Sequence, residues 1–175
     1  MDVVHTVECD SPVGPLRIAS TEKGLAYVEL PHASGRGLDG WRTRHASGAI
    51  VKQGFEPNRP YIAQILEFLA GKRQKFELPL DLRATPFQLA VYQELRRIPF
   101  GETRTYAEIA RAVGRPSATR AVGAANGANP ISLVVPCHRV IGSSGHLQGY
   151  AGGLDLKAWL LAMERGRGAQ PGLLL

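Results

Sequence analysis

The hydrophobic period of this chain changes near residue 83, and that change limits the folds open to it. Before it, apolar residues come in short runs rich in β-branched side chains: Val3 to Cys9, Leu16-Arg17-Ile18-Ala19, and Leu25 to Leu30. Ser11-Pro12-Val13-Gly14-Pro15 and Glu22-Lys23-Gly24 separate them. Short strands joined by short turns predict an antiparallel meander. Residues 31–57 hold five Gly and mixed charge, and read as a long loop with a short apolar piece at Ala49-Ile50-Val51. Residues 60–70 begin with Pro and stop before Gly71, as a helix does. Phe76 to Leu82 reads as extended.

After residue 83 the period becomes helical. Phe87, Val91, Leu95 and Ile98 recur by four, four and three ahead of Pro99. Tyr106, Ile109, Ala110 and Val113 follow at helical spacing and end at Gly114. Pro116-Ser117 opens the next segment, with Ser117 as its expected N-cap and Ala118, Ala121, Val122 and Ala125 as its apolar set. Two short helices joined at Gly114-Arg115-Pro116 predict a helix-turn-helix. At 100° per residue from Ala118, the opposite face holds Gly123, Arg120, Ala124 and Gly127 between roughly 140° and 240°. One long cation thus projects from a field of very small residues. Glycine in a helix costs about 1 kcal/mol relative to Ala, so two of them suggest close approach to the backbone, by DNA or by a helix of the same protein. Leu156, Trp159, Leu160 and Met163 mark a last helix with Asp155 as its expected cap. Residues 166–175 are expected to fray. The expected class is α/β in the α+β arrangement, with domains at 1–83 and 84–175.

A chain of 175 residues with 44 % hydrophobic and 21 % charged residues can bury a core and is not expected to be disordered. No apolar run approaches the ~18 residues of a membrane span. Met1-Asp2-Val3-Val4-His5 lacks the basic and apolar regions of a secretory signal. Two cysteines, Cys9 and Cys137, are too few for a disulfide framework or a four-cysteine metal site. A reduced, cytoplasmic protein is expected. Net charge is +6, and its excess is local: Lys/Arg against Asp/Glu is 11 to 10 in 1–83, 7 to 3 in 84–152 and 3 to 2 in 153–175. A basic middle suits a polyanion such as DNA, although a solvated basic surface would read the same way.

The chemistry concentrates at Pro136-Cys137-His138-Arg139-Val140, which follows the branched run Ile131-Ser132-Leu133-Val134-Val135. A cysteine beside His and Arg is expected to sit in a positive field that favours the thiolate nucleophile. Glu164 falls about 80° from Leu156 on the last helix, on the flank of its buried stripe. From there a carboxylate can reach a histidine, giving nucleophile, base and orienting acid, or it can simply be solvated.

These residues resemble the O6-alkylguanine-DNA alkyltransferase family. The resemblance rests on Pro136-Cys137-His138-Arg139-Val140, Ser143-Ser144-Gly145 and Gly149-Tyr150. It runs back through Asn129-Pro130, Arg120-Ala121-Val122-Gly123, Thr105-Tyr106 and Pro99-Phe100-Gly101-Glu102-Thr103, and forward through Lys157-Ala158-Trp159-Leu160-Leu161, over residues 85–166. It implies a ribonuclease-H-like N-terminal domain with a small antiparallel sheet and one helix. It also implies a helical, winged-helix-like C-terminal domain. The implied activity is direct reversal of DNA damage, in which the alkyl group of O6-alkylguanine moves once and permanently to Cys137. O4-alkylthymine is carried as a second candidate lesion.

By the same resemblance His138 would deprotonate Cys137 through a water, Glu164 would hold His138, and Asn129 would brace the active-site turn. Tyr106 would protonate the leaving guanine and crowd a phosphate. Arg120 would enter the base stack, with Ser117, Thr119 and Gly123 beside it on a helix laid in the minor groove. Val140, Tyr150, Ala151 and Lys157 would line the base pocket. No cofactor is implied, and the partner is double-stranded DNA bound by a monomer, with cooperative loading left open. Some members hold an N-terminal zinc on two Cys and two His. Here residues 1–83 carry Cys9, His5, His32 and His45, which do not match, so no metal is expected. A binding module without chemistry and a cysteine hydrolase remain as alternatives. The first does not require Cys137, and the second would turn over.

Overall fold

The computed structural model describes residues 1–33 and 36–166, so the expected fraying beyond Gly166 lies outside the described residues. The chain forms two compact units. One holds Met1–Arg83 together with Pro130–Ser132, and the other holds Ala84–Asn129 and continues from Leu133. The three-residue return is absent from the domain boundaries read along the sequence. Val28 N–H donates to the Pro130 carbonyl at 2.9 Å, and Val28 bridges Ile131, which ties that segment to the first unit.

The first unit is a four-stranded sheet with two helices. Strands β1 (Val3–Cys9), β2 (Leu16–Thr21) and β3 (Gly24–Glu29) form the expected antiparallel meander. A fourth strand, β4 (Ile50–Gln53), joins β1 in parallel, so the order is β3-β2-β1-β4 and the sheet is mixed rather than antiparallel. Helix α1 (Gly37–His45) precedes β4, and α2 (Arg59–Leu69) follows it. The expected loop over 31–57 therefore contains a helix and a strand, and the unit has two helices rather than one.

The physical reason is that both elements draw their support from distant residues. The N-cap position of α1, Arg36, offers no side-chain bond. Glu29 of β3 supplies it instead, accepting from Leu38 N–H at 2.9 Å. A carboxylate there also meets the positive end of the helix dipole. Gly37 is required at this junction. Its φ is +54°, and a Cβ would overlap the Glu29 carboxylate. Leu38 and Trp41 of α1 pack with Val4, Ala19, Ala26 and Ala46.

Residues 76–82, expected to be extended, form no strand and hold a single bridge from Leu80 to Leu25. They end in a buried polar knot. Asp81 accepts from the Thr21 hydroxyl at 2.6 Å and from Arg83 at 2.7 Å. Arg83 also reaches Asp2 at 2.6 Å and the His45 carbonyl at 2.8 Å, with its guanidinium 5.7 Å from the Trp41 ring centre.

The second unit is helical: α3 (Pro86–Leu95), α4 (Tyr106–Ala112), α5 (Thr119–Gly127) and α6 (Leu154–Glu164), with the short strands β5 (Arg104–Thr105) and β6 (Val140–Ile141). Reciprocal capping boxes start two of the helices, Thr85 with Gln88 on α3 and Thr105 with Glu108 on α4. Helices α4 and α5 form the expected helix-turn-helix, and both contact α3. Helix α5 starts one residue later than read from the sequence. Its N-cap position is Ala118 without a side-chain bond, so Ser117 does not cap it. Ala121 is exposed rather than buried, leaving Val122, Ala125 and Asn126 as the buried residues. Gly153 at φ +92° starts α6, and Asp155 lies in its first turn instead of capping it. No helix among the described residues is long and apolar enough to cross a membrane.

Replacing Asp81 with Ala leaves the Thr21 hydroxyl and one side of Arg83 without their acceptor. Asp81→Ala is expected to lower the unfolding free energy by about 2 kcal/mol in urea titration. A change below about 0.5 kcal/mol, the usual range for surface substitutions, would contradict a structural role for this knot.

Candidate active site

Cys137 opens a single 3-10 turn, Cys137–Arg139, that runs into β6. Its approach is tightly specified. Leu133 is buried at φ +74°, a left-handed conformation that costs a non-glycine residue roughly 1–2 kcal/mol. Val135 carbonyl then accepts twice, from Asn129 Nδ2 at 2.8 Å and from Cys137 N–H at 2.8 Å. Asn126 Nδ2 donates to the Cys137 carbonyl at 3.2 Å. Strand β6 pairs in parallel with β5, setting Val140 against Arg104 and Ile141 against Thr105. Since α4 begins at the next residue, this pairing places Tyr106 beside the cysteine turn.

The His138 ring and the Glu164 carboxylate are fully buried and meet at 2.6 Å between Nε2 and Oε2. Arg139 clamps the same carboxylate, with Nε 2.8 Å from Oε1 and Nη2 3.0 Å from Oε2. Gly101 N–H donates to Oε1 at 3.1 Å. Arg139 is otherwise spent on the Ile98 carbonyl at 2.8 Å and the Phe100 ring. Burial pushes the Glu164 carboxyl up, but the bonds and charges of His138 and Arg139 outweigh it and hold the group down to about 2. Burial lowers His138, with Glu164 only partly restoring it, so the imidazole is neutral at pH 7. An ionised carboxylate can only accept, so Nε2 carries the hydrogen and Nδ1 is the basic nitrogen.

Cys137 corrects the sequence expectation. Burial raises its thiol above the ordinary value, and Asn129 and Lys157 only partly offset this. The cation expected to favour the thiolate, Arg139, is neutralised by Glu164. At rest Cys137 is therefore a thiol beside a neutral imidazole.

The other site residues close around this centre. The Tyr106 hydroxyl donates to the Gln148 carbonyl at 3.1 Å, and Lys157 Nζ donates to the same oxygen at 2.7 Å. Lys157 is fully buried, its Nζ 5.8 Å from the Tyr106 ring centre, and burial holds it down to about 8. Val140 is buried and Ala151 half-buried. The Tyr150 ring meets His138 edge-on at 6.5 Å. The residues expected on the DNA side stand apart from this cluster. Ser117, Thr119 and Arg120 are exposed and Gly123 is half-buried. A Cβ on Gly123 or Gly127 would touch nothing, so that face of α5 is open. Arg139 as the clamp of Glu164 was not read from the sequence, and Asn126, expected only to flank the pocket, donates to the turn. Among the described residues no group of three His, Cys, Asp or Glu could hold a metal.

Glu164 sets an acid signature. Its folded pKa of about 2 lies below the ordinary 4.5, so the unfolded chain binds more protons between those values. The stability it contributes is complete above pH 4.5 and lost as pH falls to about 2. Glu164→Gln leaves Arg139 buried and unpaired and is expected to be less stable at pH 7. From pH 6 to 3 it is expected to lose less stability than the wild type, by up to about 2 kcal/mol in denaturant titrations. Equal acid losses in the two proteins would contradict the assignment.

Two family models cover the chain. The ribonuclease-like domain of 6-O-methylguanine DNA methyltransferase matches residues 5–82, and the DNA-binding domain of the same family matches residues 86–166. The inducible methylated-DNA–protein-cysteine methyltransferase of Bacillus subtilis is 43% identical over 148 residues, covering 85% of this chain and 83% of its own. The methylated-DNA–protein-cysteine methyltransferase of Mycolicibacterium paratuberculosis is 45% identical over 161 residues, covering 89% of both. The crystal structure of Mycobacterium tuberculosis OGT in complex with DNA superposes with a TM-score of 0.79 at 40% identity, covering 97% of this chain and 96% of that one. With both of its units matched in order and relatives aligned along most of its length, this chain belongs to the 6-O-methylguanine DNA methyltransferase family.

Proposed function

We propose that the protein repairs O6-alkylguanine in double-stranded DNA by moving the alkyl group to Cys137, once per molecule. The observation that carries this reading is the buried turn that sets Cys137 next to His138, whose ring Glu164 holds at 2.6 Å. The Cys137 sulfur attacks the alkyl carbon and forms the S–C bond as the C–O6 bond breaks. The thiol proton passes through a water to His138 Nδ1, and the imidazolium is held by Glu164. Tyr106 gives a proton to the departing guanine and is reprotonated from the proton left on the enzyme. The net change exchanges the thiol hydrogen for the alkyl group. A thioether is stable, so the protein does not regenerate.

Reaching a base inside a duplex requires flipping it out, which costs a few kcal/mol. Arg120, exposed on the open face of α5, fills the gap in the stack from the minor groove. Ser117, Thr119 and Gly123 let the backbone approach the phosphates. Val140, Tyr150, Ala151 and Lys157 receive the base, and Asn129 braces the turn through Val135. The protein works as a monomer, with cooperative loading along DNA. Both cysteines are free, which suits the reducing cytoplasm.

Intact-protein mass after mixing with duplex carrying one O6-methylguanine tests this reading. The wild type is expected to gain one methyl group, and Cys137→Ala none. Arg120→Ala is expected to gain it more slowly, roughly 10-fold or more, because each 1.36 kcal/mol of lost flipping assistance is tenfold in rate. Its rate on the free modified base should be unchanged. Damage-selective binding without any mass gain in the wild type would favour a recognition module instead.

A further inference from the structure

No Asp or Glu follows Glu108 until Asp155. Most of the helix-turn-helix lies in this stretch, whose arginines are Arg111, Arg115, Arg120 and Arg139. Arg139 is spent on Glu164. Arg111, Arg115 and Arg120 are exposed, and among the described residues no carboxylate pairs with them.

Arg115 differs from the other two in being held. It stands at the joint between α4 and α5. Its N–H donates to the Ala110 carbonyl at 2.9 Å, and its own carbonyl accepts from Ala118 N–H at 2.9 Å. Its guanidinium carbon lies over the Phe87 ring, 5.4 Å from the ring centre, in the first turn of α3. A ring attracts a cation through its face, so the contact occupies none of the guanidinium N–H donors. Those donors form a planar fork that matches two oxygens of a phosphate. In helix-turn-helix proteins the first helix crosses the duplex backbone, which brings the joint between the helices close to phosphates.

We infer that Arg115 is a phosphate contact beside α5, positioned by the Phe87 ring before DNA arrives. This rests on the functional reading above, in which α5 lies on duplex DNA. A side chain already ordered loses less freedom on binding. A cation that acted through net charge alone would do so wherever on the chain it stood.

Titration of an undamaged duplex at several salt concentrations separates these roles, with thermal melting of each variant. Each neutralised phosphate contributes about 0.9 to the slope of log K against log salt. Arg115→Ala is expected to reduce the slope by about that amount and to weaken binding roughly 5- to 10-fold near 0.1 M salt. Lys72→Ala removes the same charge from an exposed position in the first unit and is expected to change neither. Phe87→Leu keeps the charge, and is expected to keep the slope while weakening binding about 2- to 5-fold. Arg115→Lys keeps the charge without the planar fork and is expected to weaken binding about 2-fold or more at the same slope. Being exposed, it also covers the case in which Phe87→Leu fails to fold. An unchanged slope in Arg115→Ala, an equal drop in Lys72→Ala, or wild-type affinity in Phe87→Leu or Arg115→Lys would overturn the inference and leave the functional reading standing. Failure of the wild type to bind duplex at low salt would overturn both.

Discussion

A carboxylate buried away from water is the constraint on which the second unit depends. Glu164 is the last residue of α6, where the helix dipole is negative and a second negative charge is disfavoured. It is held there by His138, by two guanidinium nitrogens of Arg139 and by Gly101 N–H. Removing either partner of such a buried pair is costly, because the remaining charge has no water to return to. The ion pair joins three parts of the chain: the end of α6, the segment around Ile98–Gly101, and the cysteine turn.

The consequence is a cysteine turn with no charge on its thiol. Arg139 gives its charge to Glu164, so Cys137 receives little of it, and burial keeps the thiol protonated. Burial leaves His138 neutral against the opposing pull of Glu164, and the Glu164 bond to Nε2 sets Nδ1 as the basic nitrogen. In the proposed reaction, a thiol beside a neutral base reacts only when a proton can leave as the alkyl group arrives.

The parts of this structure that were legible in the sequence are those stabilised locally. Phe87, Val91 and Leu95 repeat at helical spacing, and α3 is where they place it. The first three strands are bounded by their own turns. Helix α1 was not legible because its cap comes from Glu29 on a neighbouring strand. Strand β4 was not legible because it is four residues long and pairs with a partner some fifty positions away, with Ile50 left exposed at the edge. The Cys137-His138 pair was legible as residue types, whereas Glu164 is one of ten glutamates and its helix position alone left it open to solvent. Their electrostatics was not, because sequence displays Arg139 beside Cys137 and hides the carboxylate that neutralises it. Asn126 and Glu164 each sit about 80° from the reference residue of their helix, on the flank of the buried stripe. A helical wheel cannot say whether such a flank is wet or meets a turn that needs a donor or an acceptor.

The claim that Glu164 holds His138 as a neutral base is tested most directly by the nitrogen chemical shifts of the His138 ring in labelled protein, followed from pH 5 to 8. A neutral ring is predicted at pH 7, protonated at Nε2 and titrating below the ordinary 6.5. An imidazolium at pH 7, or a neutral ring protonated at Nδ1, would contradict it.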